Sequence, residues 1–198
     1  MIRAIFFDFY SVWTPDKLSY YLATAQLSGP EVYKQVSDLI ESYYHGAVGV
    51  EELADSLRVK LGHPDITDKV FKLSEQDISP QIINFMRELH GHFLKLGILA
   101  NLGNQEQKLL SEFNEHNQVL EVIASPLSYN LSQPLLNREV FARALNDIGE
   151  PISNCILVSG NTQFLQFAQL LGLGTIQFEG FGKLKQTIET LIAQDIPN

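Results

Sequence analysis

A doubly wound, mainly parallel α/β fold with a small all-helical insertion is what this sequence predicts, on three observations. Short, continuously apolar runs recur along the chain, as expected of strands covered on both faces. In the second half they alternate with segments of helical apolar spacing. Between the first and second runs lies a long stretch that offers helices and no strong strand.

The elements follow in order. Ala4-Ile5-Phe6-Phe7 is the first strand; it ends at Asp8 and gives way to an irregular Tyr10-Ser11-Val12-Trp13-Thr14-Pro15. The stretch from Asp16 to Pro80 then carries three apolar sets. These are Leu18, Tyr21, Leu22 and Ala25; then Val32, Val36, Leu39, Ile40 and Tyr43; then Val50, Leu53, Leu57 and Leu61. Gly29-Pro30, Gly46 and Gly62-His63-Pro64 divide it into three or four short helices. Ile82, Ile83, Met86, Leu89 and His90 share one helical face ahead of the second strand, Leu96-Gly97-Ile98-Leu99-Ala100. Val119-Leu120-Glu121-Val122-Ile123 is a weaker strand. Val140, Phe141, Ala144, Leu145 and Ile148 form a helix before the strand Cys155-Ile156-Leu157-Val158, which ends at Ser159-Gly160-Asn161. Phe164, Leu165, Phe167, Ala168 and Leu171 mark a further helix, stopped by Gly172, before Leu173-Gly174-Thr175-Ile176-Gln177-Phe178. The expected division is an α/β core of residues 1–15 and 81–198, with a helical cap over 16–80.

Composition excludes several function classes. The chain has 198 residues, 45% of them apolar and 19% charged, the balance of a globular domain. Lys and Arg number 14 against 23 acids, and a net charge of −9 disfavours nucleic-acid phosphates. No apolar run approaches the roughly 20 residues that span a bilayer. Asp8 falls where a signal peptide would still be apolar, so a cytoplasmic location is expected. Cys155 is the lone cysteine, so neither an internal disulfide nor a multi-cysteine metal site exists.

In a parallel α/β sheet, ligands collect beyond the carboxyl ends of the strands. Those ends here are Asp8, Ala100-Asn101 and Ser159-Gly160-Asn161, and they are expected to meet at one edge. An aspartate at the tip of the first strand, beneath a helical insertion, has the placement of a carboxylate nucleophile under a lid. It equally has the placement of a turn-capping residue.

The order of these phrases resembles the haloacid dehalogenase-like (HAD-like) hydrolase superfamily, in the branch with a small helical cap after the first strand. The resemblance runs almost end to end. Phe6-Phe7-Asp8-Phe9-Tyr10-Ser11-Val12 is similar to the motif that carries the nucleophilic aspartate. Tyr44-His45-Gly46-Ala47-Val48-Gly49-Val50-Glu51-Glu52-Leu53 is similar to a helix-turn-helix phrase of such caps. Leu96 to Asn101 resembles the second motif, and Ile156 to Asn161 the fourth.

The departures from that pattern define the functional expectation. The resemblance implies a second acid two residues after the nucleophile, where this chain has Tyr10, whose ordinary pKa of about 10 suits it poorly to proton shuttling. It implies a phosphate-binding Ser or Thr where Ala100 stands. The expected lysine falls on Gln133 or, in another register, Leu135, and the sequence has no lysine between Lys108 and Lys183. The acids that would hold Mg²⁺ fall on Ser159 and Gly160. Arg138 and Arg143 are distant substitutes for the lysine. Metal-free dehalogenases of the superfamily share a tyrosine at the Tyr10 position and a fourth motif that Val158-Ser159-Gly160-Asn161 resembles. They too use a lysine, a second-motif hydroxyl and a cap arginine, and this chain has no arginine between Arg3 and Arg58.

The expected function is therefore a HAD-like protein, catalytically impaired and acting in binding or regulation. The alternative is a small-molecule hydrolase with Asp8 as nucleophile, either an Mg²⁺-dependent phosphatase or a 2-haloacid dehalogenase. Asp8, Tyr10, Ala100, Asn101, Gln133, Ser159 and Asn161 are the site positions. No cofactor is expected, with Mg²⁺ on Asp8 only under the alternative. The expected partner is a small molecule or a protein. The other signals have bland readings. His90-Gly91-His92 reads as a helix end, Cys155 as a buried filler, and Asn130-Leu131-Ser132 as a coincidental glycosylation pattern. The pairs Tyr20-Tyr21 and Tyr43-Tyr44 read as packing between cap and core.

Overall fold

The computed structural model describes residues 1–14, 17–27, 30–44, 46–100, 102–124 and 138–194. Among them are five parallel strands, β1 (Ala4–Phe7), β2 (Lys95–Leu99), β3 (Val122–Ala124), β4 (Cys155–Ser159) and β5 (Gly174–Gln177). They form one sheet in the order β3-β2-β1-β4-β5. All four residues of β1 are fully buried, as the central strand of such a sheet requires. Phe7 lies opposite Ile98 on one side and Val158 on the other, so the tips of β1, β2 and β4 are level. The chain winds from β1 outward to β3, then returns to β4 and winds the other way. The crevice between β1 and β4 is therefore the topological switch point, where α/β sheets bind ligands.

The twofold alternation along the strands loads both faces. Ile5, Phe7, Leu96, Ile98, Ile156 and Val158 face one cluster, shared with α5 (Pro80–Gly91), α6 (Asn104–Asn117) and α9 (Phe181–Gln194). Ala4, Phe6, Cys155 and Leu157 face the other, shared with α7 (Arg138–Ile148) and α8 (Thr162–Leu171). Gly172 ends α8 in the left-handed region at φ 97°, where a residue without Cβ is favoured.

Between β1 and α5 run α1 (Lys17–Thr24), α2 (Pro30–Tyr44), α3 (Val50–Leu61) and α4 (Asp68–Phe71). Their apolar faces bury one another: Val36, Tyr43, Leu53, Ala54, Leu57, Ile66 and Phe71 make a cluster separate from the two on the sheet.

Four sequence expectations need correction. β5 is an edge strand whose residues are exposed or half-buried, so its apolar run does not mark a doubly covered strand. Val119 and Leu120 are buried but precede β3, because the chain turns through the left-handed region at Gln118 (φ 51°). Tyr20 is 70% exposed and faces solvent. α6 and α9 answer to no predicted element. Asn101, Gln133, Leu135 and the Asn130-Leu131-Ser132 pattern lie outside the described residues. No helix among the described residues is long and apolar enough to cross a membrane.

Candidate functional site

Asp8 extends β1 by one residue: its backbone N–H donates to Val158 O at 2.9 Å, and only 8% of the residue is exposed. The side chain thus stands at the switch point beside the tip of β4. There the fully buried Ser159 donates its hydroxyl to Asp8 Oδ2 at 2.6 Å. That proton has a fixed destination, because Ser159 Oγ itself accepts the backbone N–H of Asn161 at 2.9 Å. A hydroxyl-to-carboxylate bond of this length is of the strong, charge-assisted kind.

A third group closes the network. Residues Phe9–Trp13 make a single wide turn in which Ser11 takes φ 78°, a costly conformation for a residue with a Cβ. Ser11 N–H donates to Thr14 O at 3.0 Å. Its hydroxyl accepts Gly160 N–H at 2.9 Å and lies 3.4 Å from Asp8 Oδ2. A Cβ on Gly160 would come within 2.9 Å of Ser11 Cβ. Ser11 therefore occupies the space that any side chain at position 160 would need.

The other described positions nominated from the sequence have further roles. Asn161 is spent on structure, its Oδ1 capping α8 by accepting Gln163 N–H at 3.0 Å and Phe164 N–H at 3.2 Å. Tyr10 is half-buried and packs edge-on against Phe9 with ring centres 5.2 Å apart. Ala100 is buried and brings no donor. Arg138 and Arg143 are exposed on α7.

Mg²⁺ is the ion the superfamily pattern implies, and these residues do not fit it. It demands near-octahedral oxygen ligation, usually anchored by carboxylates. Here Asp8 is one carboxylate, Ser159 already donates to it, and position 160 is filled by Ser11. Among the described residues no three His, Cys, Asp or Glu side chains cluster to hold a metal.

Sequence reasoning missed a second polar constellation at the same sheet edge. α6 starts just beyond β2, with Gly103 as its N-terminal flank. Glu106, three residues on and 1% exposed, accepts the Tyr43 hydroxyl, which lies 2.8 and 2.7 Å from its two carboxylate oxygens. Gln105 Nε2 donates to the same carboxylate at 3.0 Å and to Phe71 O at 3.2 Å, while Gln105 Oε1 accepts Leu73 N–H at 3.3 Å. Tyr43 and Phe71 belong to the inserted helices. A Cβ on Gly103 would lie 2.5 Å from the Tyr43 ring, so only glycine lets that ring approach. The available signal was a glutamate at the third position of a helix opened by glycine, the spacing of a capping box.

Cys155 is chemically quiet: burial, with the nearby Glu150 charge, pushes its thiol up to about 11. The one buried side-chain polar atom without a partner among the described residues is Trp13 Nε1, in a ring that packs edge-on against Phe113 at 5.0 Å.

Comparison with solved structures supplies a fold relationship. The chain superimposes on a predicted HAD-like family hydrolase from Porphyromonas gingivalis with a TM-score of 0.65 and 16% identity, over 97% of this chain and 98% of that one. A HAD family enzyme from Bacteroides thetaiotaomicron, in complex with magnesium and inorganic phosphate, gives a TM-score of 0.61 at 15% identity, over 89% and 94%. The L-2-haloacid dehalogenase from Xanthobacter autotrophicus with chloropropionic acid covalently bound gives 0.59 at 16% identity, over 100% and 85%. No protein-family model and no curated protein matches the sequence. The chain has the HAD-like fold.

Proposed function

We propose that this HAD-like chain uses its switch-point crevice to bind a ligand, a small molecule or a segment of a partner protein, and does not carry out phosphoryl transfer. The observation that carries this reading is the Ser159 hydroxyl on Asp8 Oδ2 at 2.6 Å. A strong hydrogen bond holds one oxygen of Asp8, and the serine stands where the family resemblance puts a metal-ligating acid. Stabilising the charge of a transferring phosphoryl group is the main catalytic task in such reactions. The groups implied for it are replaced by Ala100, by Gln133 or Leu135, and by Ser159 and Gly160. The helices over 16–80 act as a cap, held onto the core through Tyr43 and Gln105, and the protein works in the cytoplasm.

A metal-free hydrolase on Asp8 is the second reading, favoured by the nucleophile's burial at the switch point and by the fold shared with a haloacid dehalogenase. One experiment separates the two. The protein is assayed against a panel of phosphorylated metabolites with Mg²⁺ and against 2-haloacids. The binding reading expects no turnover above buffer. Turnover that Asp8→Asn abolishes, at rates in the usual enzymatic range of roughly 1–1000 per second, would establish the hydrolase instead.

A further inference from the structure

A cleft of about 380 Å³ opens between α5 and α6, lined by Ile78, Ile83, Arg87, Phe113, His116 and Asn117. None of these residues belongs to the Asp8 network or the Tyr43–Glu106 contact. Its size falls at the small end of ligand sites, with Ile78, Ile83 and Phe113 as its apolar part and Arg87, His116 and Asn117 as its polar part.

The polar groups are preset. Asn117 Nδ2 donates to Phe113 O at 2.7 Å, which turns its Oδ1 toward Arg87. Arg87 donates through Nη2 to that oxygen and through Nη1 to Asn84 Oδ1 at 3.1 Å. Both acceptors are neutral amides, and Arg87 makes no ion pair among the described residues. On the same two helices Glu88 pairs with Lys185 at 2.9 Å and Glu112 with Lys108 at 3.7 Å, while Glu115, also on α6, makes no ion pair with Arg87. In a chain of net charge −9, a guanidinium held in place without a counter-ion among the described residues is a conspicuous gap. Two of its five N–H groups are used, which leaves donors in the fork geometry that matches a carboxylate. His116 adds to the same rim. Its Nδ1 lies 2.7 Å from Glu112 O, which can only accept, so Nδ1 carries a proton.

We propose that this cleft is a second ligand site, for a small apolar carboxylic acid. The carboxylate pairs with Arg87, and the apolar body lies on Ile78, Ile83 and Phe113. Phe113 connects the site to a built-in reporter, since the protein's single tryptophan, Trp13, packs against it.

The test uses 3-phenylpropionate, read by calorimetry and by Trp13 fluorescence. Binding with a Kd below about 1 mM is expected. Arg87→Gln should weaken it by about tenfold or more, the scale of one charged hydrogen-bonding partner. Asn117→Ala, which only frees the guanidinium, should weaken it less. Asp8→Asn should bind as the parent does, which keeps this result independent of the switch-point reading. Arg87 is exposed, so its variant should unfold at the parent's temperature. The proposal fails if 3-phenylpropionate does not bind, if Arg87→Gln binds it equally well, if Asp8→Asn abolishes binding, or if 3-phenylpropanol binds as tightly as the acid.

Discussion

The two polar constellations at the carboxyl edge of the sheet bury a carboxylate by different means. Asp8 is satisfied from within the core, by a hydroxyl on the neighbouring strand and a serine three residues away. Glu106 is satisfied across the insertion, by a tyrosine more than 60 residues distant in sequence. An internal donor on a rigid strand fixes the chemistry of a crevice without involving anything that can move away. A donor brought by the insertion ties that edge of the sheet to the inserted helices. One half of the edge is therefore a chemical setting, and the other a mechanical one.

The largest expected effect tests the mechanical half. Tyr43→Ala removes a buried ring from the insertion cluster together with the hydroxyl on Glu106, and should cost about 3–5 kcal/mol in denaturant unfolding. Tyr43→Phe keeps the ring, so its cost of about 1–3 kcal/mol isolates the buried carboxylate's lost donor. A double-mutant cycle makes the comparison strict. Tyr43→Phe with Glu106→Gln should show a coupling of about 0.5–3 kcal/mol, whereas Tyr43→Phe with Ser159→Ala should be additive within about 0.5 kcal/mol. Strong coupling in the second cycle would merge the two halves into one.

Next in size is the chemical half. Ser159→Ala should destabilise by about 1.5–3 kcal/mol, the worth of a hydrogen bond to a charged group, and leave the insertion's protection from hydrogen exchange unchanged. Local exchange in α2 that rises with Ser159→Ala would contradict the separation. A repair experiment probes the same spot. Gly160→Asp alone should fold poorly, because its Cβ meets Ser11 at 2.9 Å. Adding Ser11→Gly removes that contact and relieves φ 78°, so the double variant should regain stability in a thermal melt.

The smallest effect lies at the exit of the insertion. Burial works to raise the Asp77 pKa, but hydrogen bonds from Lys17 and Ser74 outweigh it and hold the carboxyl below its ordinary 3.8. Asp77 pairs with Lys17 at 2.7 Å. A depressed pKa contributes stability that is complete above the ordinary value and is lost as pH falls below it. Acid titration below about pH 4 should therefore destabilise the parent more than Asp77→Asn, by a modest amount because the pair is partly exposed.

The core strands were legible because β1, β2 and β4 are buried on both faces and read as unbroken apolar runs. The edges were less so. β5 carries the same kind of run yet is covered incompletely, and sequence alone does not say which strand ends the sheet. α6 is hard to read because only Leu109, Leu110 and Phe113 mark its apolar face and the buried position one turn earlier is Glu106, a charged residue. Asp8 and Ser159 were nominated together and do meet. Asn161 was nominated for the pocket and serves as a helix cap, a role that asparagine before a helical run signals equally well. Ser11 and Glu106 were not read, since the first acts through a strained turn and the second through a partner on another element.

The central claim, that Asp8 is engaged by the protein's own hydroxyls and not by a metal, is tested most directly by titrating Mg²⁺ into the purified protein in a calorimeter. The account predicts no saturable heat for the parent, and the same flat trace for Asp8→Ala. Tight, saturable Mg²⁺ binding to the parent that disappears in Asp8→Ala would contradict it.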